Sequence, residues 1–288
     1  MTEYADRTWS SNDGLKLHFR DYPGREDRPP VICLPGLTRN ARDFSGVAER
    51  IAGEWRVLCP ELRGRGDSDY ARESASYNPL QYVEDITLLL SDQQITRFVA
   101  IGTSLGGLLT MVLAMIDASR IAGAALNDIG PVLERGGMDR IREYVGQGRS
   151  FPTWMHAARA LEEVHGPIFP DYQTADWLEM AKRVMTMSSN GRIVFDYDMK
   201  IAEPLLEADP DAPPPDLWPG VDALAGRPVL LLRGELSALL SQPTFDEMAR
   251  RLPEAECVTV PRVGHAPTLD EPEAVAGIAR LLDRVAAG

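Results

Sequence analysis

The sequence predicts an α/β protein: a mainly parallel β-sheet with helices on both faces and one helical segment inserted late. Three observations carry this. Apolar runs of strand length alternate with apolar patterns of helical period along most of the chain. The strand runs are unbroken rather than alternating, which a sheet covered on both faces requires. Residues 132–217 break that rhythm and contain no run that reads as a strand.

Each element has its own local reason. The first 22 residues read as two strands around the turn Asn12-Asp13-Gly14, with alternation in Leu15-Lys16-Leu17-His18-Phe19. Pro30-Val31-Ile32-Cys33-Leu34 is a buried strand that stops at Pro35-Gly36, and a helix follows over 41–52. Trp55-Arg56-Val57-Leu58-Cys59-Pro60 is the next strand, before the glycine-rich loop Arg63-Gly64-Arg65-Gly66-Asp67-Ser68. Asn78-Pro79 caps and opens a helix that places Leu80, Val83, Ile86, Leu89 and Leu90 on one face. Phe98 to Ile101 is a strand, and Leu105, Leu108, Leu109, Val112, Leu113 and Ile116 mark the helix after it. Ile121 to Asn127 is another strand, ending at Asp128-Ile129-Gly130-Pro131. Beyond the insertion, Pro228 to Gly234 is a strand, and a helix from about Ser241 carries Phe245, Met248 and Leu252. Cys257-Val258-Thr259-Val260 is the last strand, and Val275, Ile278, Leu281, Leu282 and Val285 give the final helix its apolar face.

These readings divide the chain into a core at 1–131 and 218–288 and a helical lid at 132–217. The lid is rich in aromatic residues and methionine, and closes with the stiff linker Asp209-Pro210-Asp211-Ala212-Pro213-Pro214-Pro215. It leaves the sheet at the carboxyl edge, where open α/β sheets bind ligands. Most of its aromatics should form its own small core. Tyr144 and Trp154 are the candidates for touching substrate.

The 288 residues suffice for one large α/β domain, and an apolar fraction of 44 % supplies its core. A net charge of −13 disfavours nucleic acid and anionic membranes as partners. Residues 98–116 carry no charge, but their period changes midway from strand to helix, and this argues against a membrane span. The N-terminus is polar and acidic, without the apolar centre of a signal peptide. Cys33, Cys59 and Cys257 form no pattern, as expected in a reducing cytoplasm. None of His18, His156, His165 and His265 shows metal-ligand spacing, so no metal is expected.

The chemistry concentrates at Gly102-Thr103-Ser104-Leu105-Gly106. Strand, one-residue turn and helix follow at once, with a serine held at the tip in a strained conformation. The glycines let strand and helix approach closely enough for so tight a turn. A serine hydroxyl needs a base, a group that orients the base, and donors for an oxyanion. His265, in the loop before the last helix, is the candidate base. The N–H groups of Leu37 and Leu105 are the candidate donors, from the loop after an early strand and from the elbow.

With these motifs in order, the chain resembles the α/β-hydrolase fold family, in its capped, esterase-like branch. The resemblance rests on Pro35-Gly36, Arg63-Gly64-x-Gly66-x-Ser68, Gly102-x-Ser104-x-Gly106, Asn127-Asp128-Ile129-Gly130-Pro131, Arg233-Gly234-Glu235 and Gly264-His265. It implies a mostly parallel eight-stranded sheet with a helical lid, no cofactor, and hydrolysis of an ester or related bond. The chain departs from the pattern at one place. Where related sequences usually carry the acid partner of the histidine, this chain has Ala238. Three readings follow: Ala238 marks a lost acid, Asp128 orients His265, or Glu235 does so. On the first reading, Ala238→Asp raises esterase activity at least about tenfold.

The expected substrate is a small, mostly apolar carboxylic ester or lactone, with the protein a monomer or small homo-oligomer. Hydrolysis of a carbon–carbon bond would use the same residues. Epoxide and haloalkane hydrolysis in this fold use aspartate at the elbow, so Ser104 argues against both. A fold that binds ligand without turnover is the contrasting reading, and Ala238 is the feature favouring it.

Overall fold

A computed structural model describes residues 3–209, 212 and 214–288. Met1, Thr2 and the linker residues Pro210, Asp211 and Pro213 lie outside the described residues. Two strands, β1 (Ala5–Ser10) and β2 (Lys16–Tyr22), form the opening hairpin. They are followed by β3 (Val31–Leu34), α1 (Ser45–Ile51), β4 (Val57–Pro60) and α2 (Pro79–Asp92). Next come β5 (Phe98–Thr103), α3 (Leu105–Asp117) and β6 (Ile121–Asn127). The insertion contains α4 (Arg135–Tyr144), β7 (Ser150–Phe151), α5 (Trp154–His165) and α6 (Thr174–Val184). It continues with β8 (Met185–Met187), β9 (Ile193–Phe195) and α7 (Ala202–Glu207). The chain ends with α8 (Trp218–Asp222), β10 (Val229–Gly234), α9 (Gln242–Arg251), β11 (Glu256–Val260) and α10 (Pro272–Ala287).

Eight of these strands form one sheet in the order β1-β2-β4-β3-β5-β6-β10-β11. Only β1 with β2 and β2 with β4 pair antiparallel; the other neighbours are parallel. Successive side chains of a strand point to opposite faces, and the buried runs divide accordingly. Ile32 and Leu34 of β3, Phe98 and Ala100 of β5, and Val229 and Leu231 of β10 join one apolar cluster. Val31 and Cys33, Val99 and Ile101, and Leu230 and Leu232 join the other. Both faces are therefore filled, which explains why the strand runs carry no polar alternation.

The insertion differs from the helical segment expected from sequence. Besides its helices it holds a small antiparallel sheet in the order β7-β9-β8. Each of these strands is at most three residues long, too short to show a period of two, and β8 continues directly from the apolar end of α6.

Polar contacts fasten the insertion to the core. Arg42 donates through Nη2 to Asp196 Oδ2 at 2.5 Å and through Nε to the carbonyl of Arg183 at 3.0 Å. Asn40 Nδ2 reaches the same carbonyl at 3.1 Å. In the glycine-rich loop, Arg63 is fully buried and donates to both oxygens of Asp85 on α2 at 2.8 Å.

Candidate active site

Ser104 stands between β5 and α3 with φ 52° and ψ −116°, a conformation that costs free energy in a non-glycine residue. Two glycines make the turn sterically possible. A Cβ on Gly102 would lie 2.5 Å from the backbone of Gly106, and one on Gly106 would run into the carbonyl of Leu34. Strand, helix and the neighbouring β3 thus press the serine outward at the carboxyl edge of the sheet.

His265 lies in the loop between β11 and α10 and reaches back to that serine. Its Nε2 is 2.8 Å from Ser104 Oγ, and its Nδ1 is 2.7 Å from Asp128 Oδ2. The carboxylate only accepts, so Nδ1 donates to it and leaves Nε2 free to accept the serine proton. Asp128 follows the last residue of β6, has φ 53°, and is fully buried. Its charge is well supported: Gly234 N donates to Oδ1 at 2.8 Å, and Ser237 Oγ donates to Oδ2 at 2.7 Å. Ser237 Oγ in turn accepts from the N–H groups of Leu239 and Leu240, which orients its own proton toward Asp128.

Of the three carboxylate readings left open by the sequence, this geometry favours Asp128. Glu235 is exposed and accepts from the N–H of Arg262 at 2.7 Å, whereas the ring nitrogens of His265 meet Asp128 and Ser104. Ala238 lies in the same loop after β10, and with His265 it borders a small void. With a carboxylate already on Nδ1, Ala238 need not mark a lost acid.

The loop after β3 faces the serine. A Cβ on Gly36 would sit 3.7 Å from Ser104 Cβ and 3.2 Å from Arg39 Cγ. Leu105 is the first residue of α3, so its N–H has no acceptor within the helix. Among the described residues the N–H of Leu37 has no protein acceptor either. The carbonyl of Leu37 is held from behind by Arg65 Nε at 2.9 Å. Arg65 is fully buried and also donates to the Arg63 carbonyl and to Tyr82 Oη.

A cavity of about 150 Å³ opens over Ser104 and His265. The loop at Gly36 to Arg39 forms one side, and Phe151, Leu161, Met180 and Phe195 of the insertion supply an apolar wall. Of the two residues expected to touch substrate, Tyr144 lines the cavity. Trp154 does not: it opens α5 and packs against the apolar cluster that the insertion shares with one sheet face. His165 also lines the cavity. Burial, reinforced by the charges of Arg39 and Arg140, holds its pKa down at about 4.

The sequence offered no ligand-like neighbours for any histidine, yet folding brings His18, Glu61 and Asp67 within 4.8 Å of one another. Both ring nitrogens of His18 are already engaged, Nδ1 by Glu61 and Nε2 by Asp6. Glu61 further accepts from the N–H groups of Ala41 and Asp67. The donor set is an ion-pair network that ties β2 to the glycine-rich loop, with no ring nitrogen left to ligate a metal.

Comparison with known proteins gives the chain its family. A family described as the alpha/beta hydrolase family matches residues 31–278. A 3-hydroxybutyrate-oligomer hydrolase from Cupriavidus necator is 34 % identical over 252 residues, covering 85 % of each chain. An esterase from Mycobacterium tuberculosis is 28 % identical over 267 residues, 88 % of this chain and 82 % of that one. The crystal structure of an alpha/beta hydrolase from Novosphingobium aromaticivorans superposes with a TM-score of 0.95 at 62 % identity, covering 99 % of both chains.

Proposed function

The chain belongs to the alpha/beta hydrolase family, and on that premise we propose that it is a serine hydrolase of carboxylic esters. One observation carries the reading: a single imidazole bridges an elbow serine and a buried carboxylate, at 2.8 and 2.7 Å. Its esterase- and hydrolase-named relatives support the same reaction class.

Ser104 Oγ attacks the ester carbonyl while His265 Nε2 takes its proton. The N–H groups of Leu37 and Leu105 receive the negative charge that develops on the carbonyl oxygen. Asp128 steadies the imidazolium that forms. The proton then passes to the leaving alkoxide, and the acyl group remains on Ser104. Water, deprotonated by His265, releases the acid and restores the serine. The apolar wall of the insertion takes the hydrocarbon part of a small substrate and limits access of bulk water.

An active-site-directed fluorophosphonate tests the reading. The expected result is one adduct per chain on Ser104, abolished in Ser104→Ala, together with hydrolysis of short-chain esters. A chain that resists labelling and leaves every ester intact would remove serine catalysis and leave a binding protein.

A further inference from the structure

The cavity does not have the neutral lining that a purely apolar ester would need. Its lining includes three arginines, Arg39, Arg149 and Arg183, against one acidic residue, Asp43. Arg39 forms a two-pronged pair with Asp43 through Nε and Nη2. Arg183 donates through Nη2 to Asp270 Oδ2 at 2.6 Å, but Asp270 is shared with Arg50. Arg149 lies over the Phe151 ring at 5.5 Å. Burial works against the charge of Arg183, but Asp270 and Asp43 outweigh burial and hold its pKa up, with Arg39 opposing them more weakly. Among the described residues, Nη1 of Arg39 and Nε and Nη1 of Arg183 have no protein acceptor. Even with Asp270 set against Arg183, this wall holds one more guanidinium than carboxylates, together with the free N–H groups of Arg39 and Arg183; in a protein of net charge −13 that is a local construction and not a reflection of composition.

Cationic donors in an apolar recess are costly unless an anion meets them. A guanidinium fork matches a carboxylate in shape as well as charge. Arg39 also grows from the loop that faces Ser104, so an anion bound there lies within a short chain's reach of the reacting carbonyl.

We infer that the substrate is an ester that bears a free carboxylate, bound by Arg39 and Arg183 while its hydrocarbon chain lies on Phe151, Leu161 and Phe195. This deepens the serine-hydrolase reading and rests on it. Neutral His165 in the same wall is consistent, since it adds no charge of its own at physiological pH. The expected small apolar ester thereby acquires an anionic end.

Monoethyl adipate and ethyl hexanoate, which differ in a terminal carboxylate, test this. The wild-type protein should show kcat/KM about tenfold or more higher for monoethyl adipate, the effect of one charge-assisted hydrogen bond. Arg39→Gln should lower kcat/KM for the adipate about tenfold more than for the hexanoate, whereas Arg39→Lys keeps part of the preference. Arg183→Gln repeats the measurement should Arg39→Gln fail to fold. Equal or reversed preference in the wild type overturns the inference and leaves the serine mechanism standing. If neither ester is cleaved and Ser104 resists labelling, the serine mechanism falls. Calorimetric titration of adipate into Ser104→Ala then decides: binding lost on adding Arg39→Gln upholds the anionic site, and no binding overturns it.

Discussion

At Asp128 the backbone turns left-handed, and the carboxylate comes to rest against His265 Nδ1 with two further donors on its oxygens. Replacing it with asparagine removes the acceptor that fixes the imidazole tautomer. Asp128→Asn should lower kcat by about 10³–10⁴, in line with the serine-protease precedent, with little change in fold. Ala238→Asp should give no gain, because the histidine already has its partner. Steady-state kinetics on both variants check this, and a tenfold rise in Ala238→Asp would return the acid to the loop after β10. His18 makes a second residue-level prediction. Burial alone would lower its pKa, but Glu61 and Asp6 outweigh burial and raise it above the ordinary 6.5. A raised histidine stabilises the fold fully below pH about 6.5 and loses that contribution as pH climbs through the folded value. His18→Gln should therefore lower Tm more at pH 6 than at pH 9; an equal loss at both would assign His18 a packing role only.

Among the elements, the β5–α3 elbow was legible because every feature it needs is local: an apolar strand, two glycines and a helical period within some twenty residues. The small sheet of the insertion was not, since two- and three-residue strands exist only through tertiary pairing. The acid could be narrowed from sequence to three positions and no further. Strands β6 and β10 are neighbours and end at the same edge, so Asp128, Glu235 and residue 238 all arrive near the histidine. Backbone conformation at Asp128 and a hydrogen bond between Glu235 and Arg262 separate them, and neither is written in a local pattern. Ser237, Arg39 and Arg65 were missed as contributors because their roles depend on contacts between distant segments. The glycine-rich loop yields a prediction at this scale. Arg63 and Asp85 form a pair with both side chains fully buried, joining that loop to α2. Arg63→Met strands a buried carboxylate and should cost about 3–5 kcal/mol in urea unfolding. A loss under 1 kcal/mol would mean that Asp85 finds another partner or takes up a proton.

For the molecule as a whole, the sheet supplies the serine, the histidine and the carboxylate, and the insertion supplies most of the wall above them. The two halves meet at Arg42, Asn40 and Asp196, beside the cavity residues Arg183, Val184 and Phe195. Arg42→Met should loosen that seam. We expect faster amide hydrogen exchange across residues 184–196, and a KM that rises more than kcat falls, since the reacting groups belong to the other half. Unchanged exchange there would show that apolar packing alone holds the insertion in place.

Asp128 stands four residues from the start of the insertion, separated from it only by Ile129, Gly130 and Pro131. The proposed charge partner of the base and the root of the overlying segment are thus one short stretch of polypeptide. A chimera that borrows a relative's overlying segment to alter selectivity would have to splice after Asp128, within or beyond Ile129-Gly130-Pro131. A seam placed before Asp128 would exchange the proposed carboxylate along with the specificity it was meant to change.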